Sequence, residues 1–346
     1  MANAKFGIIS WGDTPEDYVH TVRIIDQQPF DFVGVPDSQS VYGELYVLMT
    51  QCLLNTHGKM VAPWVTNPWT RHPAVTVSAL GTLRRVFGNR VALGFGSGDS
   101  ALQNLKMRPA SLADMERYVK TLRAIFRGES VEWQGSTARV AWSKEQMPIY
   151  LAADGPKTAR LAGKVADGVV IGAGITPEVV QHFKEQVAAG AKEAGRRIED
   201  VDIWWLVKGN VHESREAAVN EIRASLCASV NHGFRFTLEG KFVPREYHAA
   251  IKKIQDGYAA HEHNIISAGV DNNAMLVEKS GMKEWLADRF AVAGTPDQCV
   301  EQIQRGIKAG ATQMFFRCPV AVARRPWFLE AMGKVVQRVK APATAR

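Results

Sequence analysis

The feature that most constrains this chain is a repeated alternation of two kinds of segment. Short β-branched or aliphatic runs are each followed by a longer amphipathic stretch. Runs at 6–10, 32–37, 60–67, 90–98, 148–153, 168–172, 201–211 and 312–317 read as eight strands. Helices are expected from Thr14, over 42–55, 73–87 and 111–127, from Pro156, over 177–194, from Ser214, from Thr295 to Gly310 and over 327–339. Local chemistry agrees: Pro15 suits a first helical position, Ser111 and Asp114 suit a first turn, and Gly310 suits a helix stop. Each helical crossover returns the chain to the same end of a sheet, so the strands run parallel. Eight such units close into a (β/α)₈ barrel, with an open doubly wound sheet as the rival. Two stretches break the rhythm. Residues 131–142 alternate around Gln134-Gly135 and read as a surface hairpin. Residues 231–288 form a long insertion after strand seven, expected to fold over the barrel mouth as a lid with Phe234, Phe236, Phe242, Tyr247 and Tyr258 as its apolar surface. The whole of 1–346 is read as one domain with that insertion.

Composition narrows the class. With 42 Lys and Arg against 35 Asp and Glu, 42 − 35 leaves a net charge of +7. The basic residues are spread along the chain rather than clustered with aromatics, which argues against nucleic acid, while a positive field would steer an anionic small molecule. No run reaches the ~18 apolar residues of a membrane span, and residues 1–5 carry no apolar export signal, so a cytoplasmic protein is expected. Cys52, Cys227, Cys299 and Cys318 are scattered, as reduced thiols are.

In a barrel, chemistry sits where strands end. Strand two ends at Asp37, either a general base or ring N–H acceptor, or an Asx-turn residue. Strand three runs into Thr66, Asn67, Arg71 and His72. Thr66 and Asn67 offer a hydroxyl and an amide for a heterocycle edge, and His72 is either a base or a helix cap. Strand four ends in Gly94-Phe95-Gly96-Ser97-Gly98, whose alternating glycines clear one face for a flat ligand. The spacing is not that of a dinucleotide-binding loop. Strand five ends in Ala153-Asp154-Gly155-Pro156-Lys157, a small-residue entry to a helix whose first N–H groups suit a phosphate. Trp64, Trp69, Trp204 and Trp205 lie in or near strand ends and are candidates for pocket walls. The only metal-like pair, His261-Glu262-His263, lies away from any strand end, and no metal site is expected.

Four segments together, 65–76, 93–99, 152–156 and 292–297, resemble the bacterial-luciferase-like superfamily, and within it methylenetetrahydromethanopterin reductase and its relatives. The likeness covers roughly residues 5–335. It implies a (β/α)₈ barrel that binds a reduced flavin, or its deazaflavin relative, in the mouth. It implies a cis peptide at Trp64–Val65, with Val65 against one ring face, Thr66, Asn67, Gly96, Ser97 and Gly98 around the ring, and Ala153 to Lys157 at the phosphate. Asp37 and His72 are then the candidates for acid–base work. One departure stands out: deazaflavin members commonly carry Asp-His at the end of strand two, where this chain has Asp37-Ser38. That departure favours a two-component monooxygenase using reduced FMN, supplied by a separate flavin reductase, and oxygen on a small organic substrate. The alternative is hydride transfer with the deazaflavin coenzyme F-420; a non-catalytic flavin-binding paralogue is a third reading. A homodimer or higher homo-oligomer is the family expectation.

Overall fold

The computed structural model describes residues 4–259, 271–317 and 321–341. Its strands are β1 (Lys5–Ile9), β2 (Phe32–Val35), β3 (Met60–Pro63), β4 (Leu93–Phe95), β5 (Val131–Trp133), β6 (Ser136–Ala138), β7 (Ile149–Ala153), β8 (Gly168–Ile171), β9 (Asp202–Val211), β10 (Ala291–Gly294) and β11 (Gln313–Arg317). Eight of them form a parallel sheet in the order β3-β2-β1-β11-β9-β8-β7-β4. The two ends of that order meet through the isolated parallel bridges Val61↔Val91 and Thr66↔Phe95, so the sheet curls into a nearly closed barrel. This is the expected (β/α)₈ architecture rather than the open sheet.

Several local expectations hold. Thr14 caps the helix Pro15–Asp26, Ser111 and Asp114 form a capping box, and Gly310 ends the helix Pro296–Ala309 in a left-handed conformation. β5 and β6 form the hairpin, with positive φ at both Gln134 and Gly135 as a tight two-residue turn requires. Other boundaries are corrected. β2, β3 and β4 stop two to four residues short of the expected ends, because residues such as Trp64, Val65, Gly96 and Gly98 continue the apolar or glycine pattern after ladder pairing has ended. β10 was not expected: its four residues, Ala-Val-Ala-Gly, are too short to signal, and it adds to the C-terminal half of β9 through Ala291↔Lys208 to Gly294↔Val211.

Apolar burial divides into three clusters. The largest fills the layer between barrel and outer helices, including Phe6, Val33, Leu93, Leu151, Trp205 and Phe316. A second lies inside the barrel, where Phe32, Trp64, Trp204 and Phe315 pack in tilted, T-shaped and stacked pairs with centroids 4.3–5.6 Å apart. It forms the floor beneath the barrel mouth. The third holds together the helices between β9 and β10, from Ala218 to Ala293, so the excursion is a packed helical unit that begins earlier than residue 231. Residues 260–270, which include the His261-Glu262-His263 pair, lie outside the described residues.

The helix Pro156–Val165 is set by its neighbour Pro177–Glu193. The two approach so closely that a Cβ on Gly190 would fall on the Arg160 carbonyl, and one on Gly163 on the Val187 carbonyl. Backbone cannot retreat as a side-chain tip can. Gly190→Ala is therefore expected to destabilise the protein by ~1–3 kcal/mol, read as a lower urea midpoint; an unchanged midpoint would refute the close approach.

Candidate active site

The barrel mouth opens into a cavity of about 1480 Å³. The ends of β2, β3, β4 and β7 all contribute to its wall, as parallel strands pointing to one rim must. Of the residues singled out from sequence, Asp37, Trp64, Val65, Thr66, Asn67, Gly96, Ser97, Gly98 and Asp154 to Lys157 line it. Ala153 lies buried just behind the wall at 1 % exposure.

One side of the cavity is a smooth slot. The Trp64–Val65 peptide is cis, as the family likeness implies. Just after it the Thr66 N–H donates to the Gly94 carbonyl at 3.0 Å and the Gly96 N–H to the Thr66 carbonyl at 2.9 Å. Gly94 has no room for a side chain, because a Cβ there would meet the Pro63 carbonyl. A Cβ on Gly96 would sit 3.2 Å from Ala152 Cβ and 3.4 Å from Val65 Cγ2, so glycine keeps the slot open between two small walls.

Polar groups near the slot are mostly committed. Asp37, buried to 3 % at its side chain, accepts from Arg71 through both oxygens at 2.7 and 3.2 Å and from the Thr66 hydroxyl. Arg71 also pairs with Glu44 at 2.8 Å. Burial opposes the charge on Arg71, but its hydrogen bonds to Asp37 and Glu44 and their negative charges outweigh burial and hold the guanidinium firmly protonated. Asn67 is spent on its own loop: Oδ1 accepts from the Trp69 and Thr70 N–H groups at 2.9 Å, and Nδ2 donates to Thr70 Oγ1. His72 does not line the cavity. Its Nδ1 accepts the Ala74 N–H at 3.2 Å, capping the helix Pro73–Phe87. Trp69 packs against Trp133, Trp204 lies in the floor, and Trp205 faces the helical layer, leaving Trp64 as the pocket wall among the four tryptophans.

The opposite side carries an open helix N-terminus, a cradle of backbone N–H groups. Gly155 caps the helix Pro156–Val165 with no side-chain hydrogen bond, and open space surrounds the position its Cβ would take. The N–H groups of the first turn and the positive end of the helix dipole face this space. Lys157, His182, Gly240 and Lys241 border it. A Cβ on Gly240 would be 3.2 Å from both His182 Nε2 and Pro156 Cγ, which places the segment after the helix Arg223–Phe234 directly over the cradle. His182 Nε2 is buried with no hydrogen-bond partner among the described residues.

A third group of charges was not legible as a site. Asp99, just past β4, faces His232 and Arg235 from the helical excursion: His232 Nδ1 is 3.4 Å from Asp99 Oδ2, and Arg235 donates to Asp99 Oδ1 at 3.2 Å. All three line the cavity. Burial, partly offset by Asp99 and Asp154, lowers the pKa of His232. Beneath them Lys208 of β9, 8 % exposed, is pulled down to about 7 by burial and by Arg317, against the attraction of Asp154. Asp99 had the one available signal, a carboxylate at a strand end; His232 and Lys208 sit in segments with no local motif. Among the described residues no cluster of His, Cys, Asp and Glu suits a metal, and no helix is long and apolar enough to cross a membrane.

Comparison with known proteins converges on one group. A family model described as luciferase-like monooxygenase matches residues 4–313. The chain is 28% identical over 310 residues to 5,10-methylenetetrahydromethanopterin reductase of Methanolobus tindarius, covering 87% of this chain and 90% of that one. It is 27% identical over 282 residues to the F-420-dependent glucose-6-phosphate dehydrogenase of Nocardia farcinica, covering 75% and 73%. The structure of the coenzyme F-420-dependent tetrahydromethanopterin reductase of Methanopyrus kandleri superposes with a TM-score of 0.78 at 21% identity, covering 98% of this chain and all of that one.

Lys208 gives a pH test of the buried charge cluster. An unfolded lysine titrates near ~10.4, whereas the folded one titrates at about 7. Between those values the unfolded chain holds the extra proton, so stability rises with pH through this window. Urea midpoints at pH 6 and pH 9 are expected to rise more for the wild type than for Lys208→Met; equal changes would contradict the lowered pKa.

Proposed function

The chain belongs to the luciferase-like family, and from that premise we propose that it is an oxidoreductase that uses the deazaflavin coenzyme F-420 as a two-electron hydride carrier. The observation that carries the reading is the convergence, in one cavity, of a glycine-cleared slot beside Val65 with an open helix N-terminus at Gly155. A planar tricycle with an anionic tail matches that pair of features. FMN and the deazaflavin share the shape, and the relatives support the deazaflavin: the dehydrogenase from Nocardia farcinica is F-420-dependent by name, and the protein from Methanolobus tindarius is a reductase by name. The expectation of reduced FMN, oxygen and a separate flavin reductase, which rested on Ser38, gives way to the deazaflavin reading.

In this reading Val65, Gly96, Ser97 and Gly98 hold the ring, and Gly155, Pro156 and Lys157 hold the phosphate, with His182 and Lys241 beside it. When bound, the coenzyme supplies a carbon that accepts or gives hydride, and the protein supplies orientation and shielding from water. Trp64 and the aromatic floor exclude solvent from below. Asp37, clamped by Arg71, fixes the loop after β3 and carries no free oxygen for proton transfer.

Fluorescence titration of the protein with oxidised coenzyme F-420 and, separately, with FMN tests the proposal. The deazaflavin is expected to bind and FMN to bind at least tenfold more weakly. Gly96→Val, which fills the slot, is expected to weaken deazaflavin binding by tenfold or more. Binding of FMN alone, or equal binding by the Gly96→Val protein, would overturn the assignment.

A further inference from the structure

The Asp37-Ser38 departure leaves the hydride-transfer reading without an obvious proton carrier. The structure shows what stands at that corner of the cavity. Ser100 Oγ donates to Ser38 Oγ at 3.0 Å, and Gln39 Nε2 donates to the Ala101 carbonyl at 2.8 Å, so the loop after β4 is stitched to the end of β2. Asp99 is the residue before Ser100, and its carboxylate faces His232 on one oxygen and Arg235 on the other. An imidazole from the helical excursion thus faces the residue next to Ser100, the partner of Ser38. The 3.4 Å separation of Nδ1 and Oδ2 is longer than an ordinary hydrogen bond, as acid–base pairs often are before substrate binds.

We propose that His232, oriented by Asp99, is the acid–base residue of this site. The inference rests on the hydride-transfer reading. Its chemical reason is that hydride leaving or reaching a carbonyl carbon is matched by a proton at the oxygen, and hydride reaching the aminal carbon of a methylene-pterin is matched by a proton at the nitrogen that is set free. In the oxidising direction with a hydroxyl substrate, the C–H bond breaks and its electron pair passes with the hydrogen to the deazaflavin. The O–H bond breaks, its proton goes to the neutral His232 imidazole, and the C=O bond forms. His232 then releases the proton to solvent. Reduction runs the same transfers in reverse. The other sequence candidates do not fill this role: both Asp37 oxygens are held by Arg71, and His72 caps a helix outside the cavity. Among the described residues, the charged groups that act on His232 include Asp99 and Asp154 from the ends of β4 and β7, Lys208 from β9, and Arg235 from its own segment. Asp99 is the positioning residue, since it acts through the imidazole.

Two readouts test this on the full chain. In ¹⁵N-histidine-labelled protein, His232, assigned with His232→Gln, is expected to titrate below the usual imidazole value with Nδ1 protonated. In Asp99→Asn its midpoint should fall further and that tautomer preference should disappear. In steady-state assays with coenzyme F-420, the probes are 2-propanol, glucose 6-phosphate and methylenetetrahydromethanopterin. Turnover of a hydroxyl probe, with kcat lowered about 100-fold or more in His232→Gln and coenzyme binding unchanged, supports the proposal. The same loss with methylenetetrahydromethanopterin supports it equally, and a His232→Gln protein that keeps its kcat and pH profile overturns it. If no probe turns over, the titration decides: a His232 signal indifferent to Asp99→Asn overturns the pairing. Failure of the wild type to bind the coenzyme at all instead refutes the hydride-transfer reading on which this inference stands.

Discussion

The structure depends on how the barrel closes between β3 and β4. Every other neighbouring pair of the eight is joined by a continuous ladder, but this seam is held by two isolated bridges, Val61↔Val91 and Thr66↔Phe95. Between them the chain at Pro63, Trp64 and Val65 leaves the ladder, and Gly94 supplies the space that lets the Pro63 carbonyl approach. The hydrogen bonds that resume the pairing, Thr66 to Gly94 and Gly96 to Thr66, orient the backbone so that Val65 faces the cavity beside a stripped strand. A regular ladder here would close the barrel equally well and leave no slot.

The charges around that seam divide into structure and chemistry. Asp37 and Arg71 form a shielded pair that ties β2 to the loop after β3. Removing one partner of such a buried pair leaves the other uncompensated, commonly at a cost of ~3–5 kcal/mol. Both Asp37 oxygens are committed to that pair. Asp99, His232, Arg235 and Lys208 are gathered from three parts of the chain and include two groups, His232 and Lys208, whose pKa values burial pulls down. Depressed basic groups in a cleft mark a functional site more often than an inert core.

The sequence made the barrel legible because parallel strands are covered on both faces: β2 and β8, for example, are buried along their whole length and read as continuous apolar runs. The slot and cradle were legible because glycine and small residues at strand ends have few other uses. Strand lengths were overread where Trp64 and Val65 stay apolar after pairing stops. His72 was ambiguous because a side chain just before Pro73 serves a helix start as readily as a reaction. His232 was not legible at all: it lies inside an apolar helix of the excursion, and only tertiary packing brings it to Asp99.

Hydrogen–deuterium exchange with and without coenzyme F-420 tests the central claim most directly, since it reads the backbone of each strand end separately. The account predicts that one ligand protects three separated segments together, 64–67, 95–98 and 155–158. Protection confined to one of them, or appearing away from the barrel mouth, would contradict the claim that these strand ends clasp a single flat, anionic ligand.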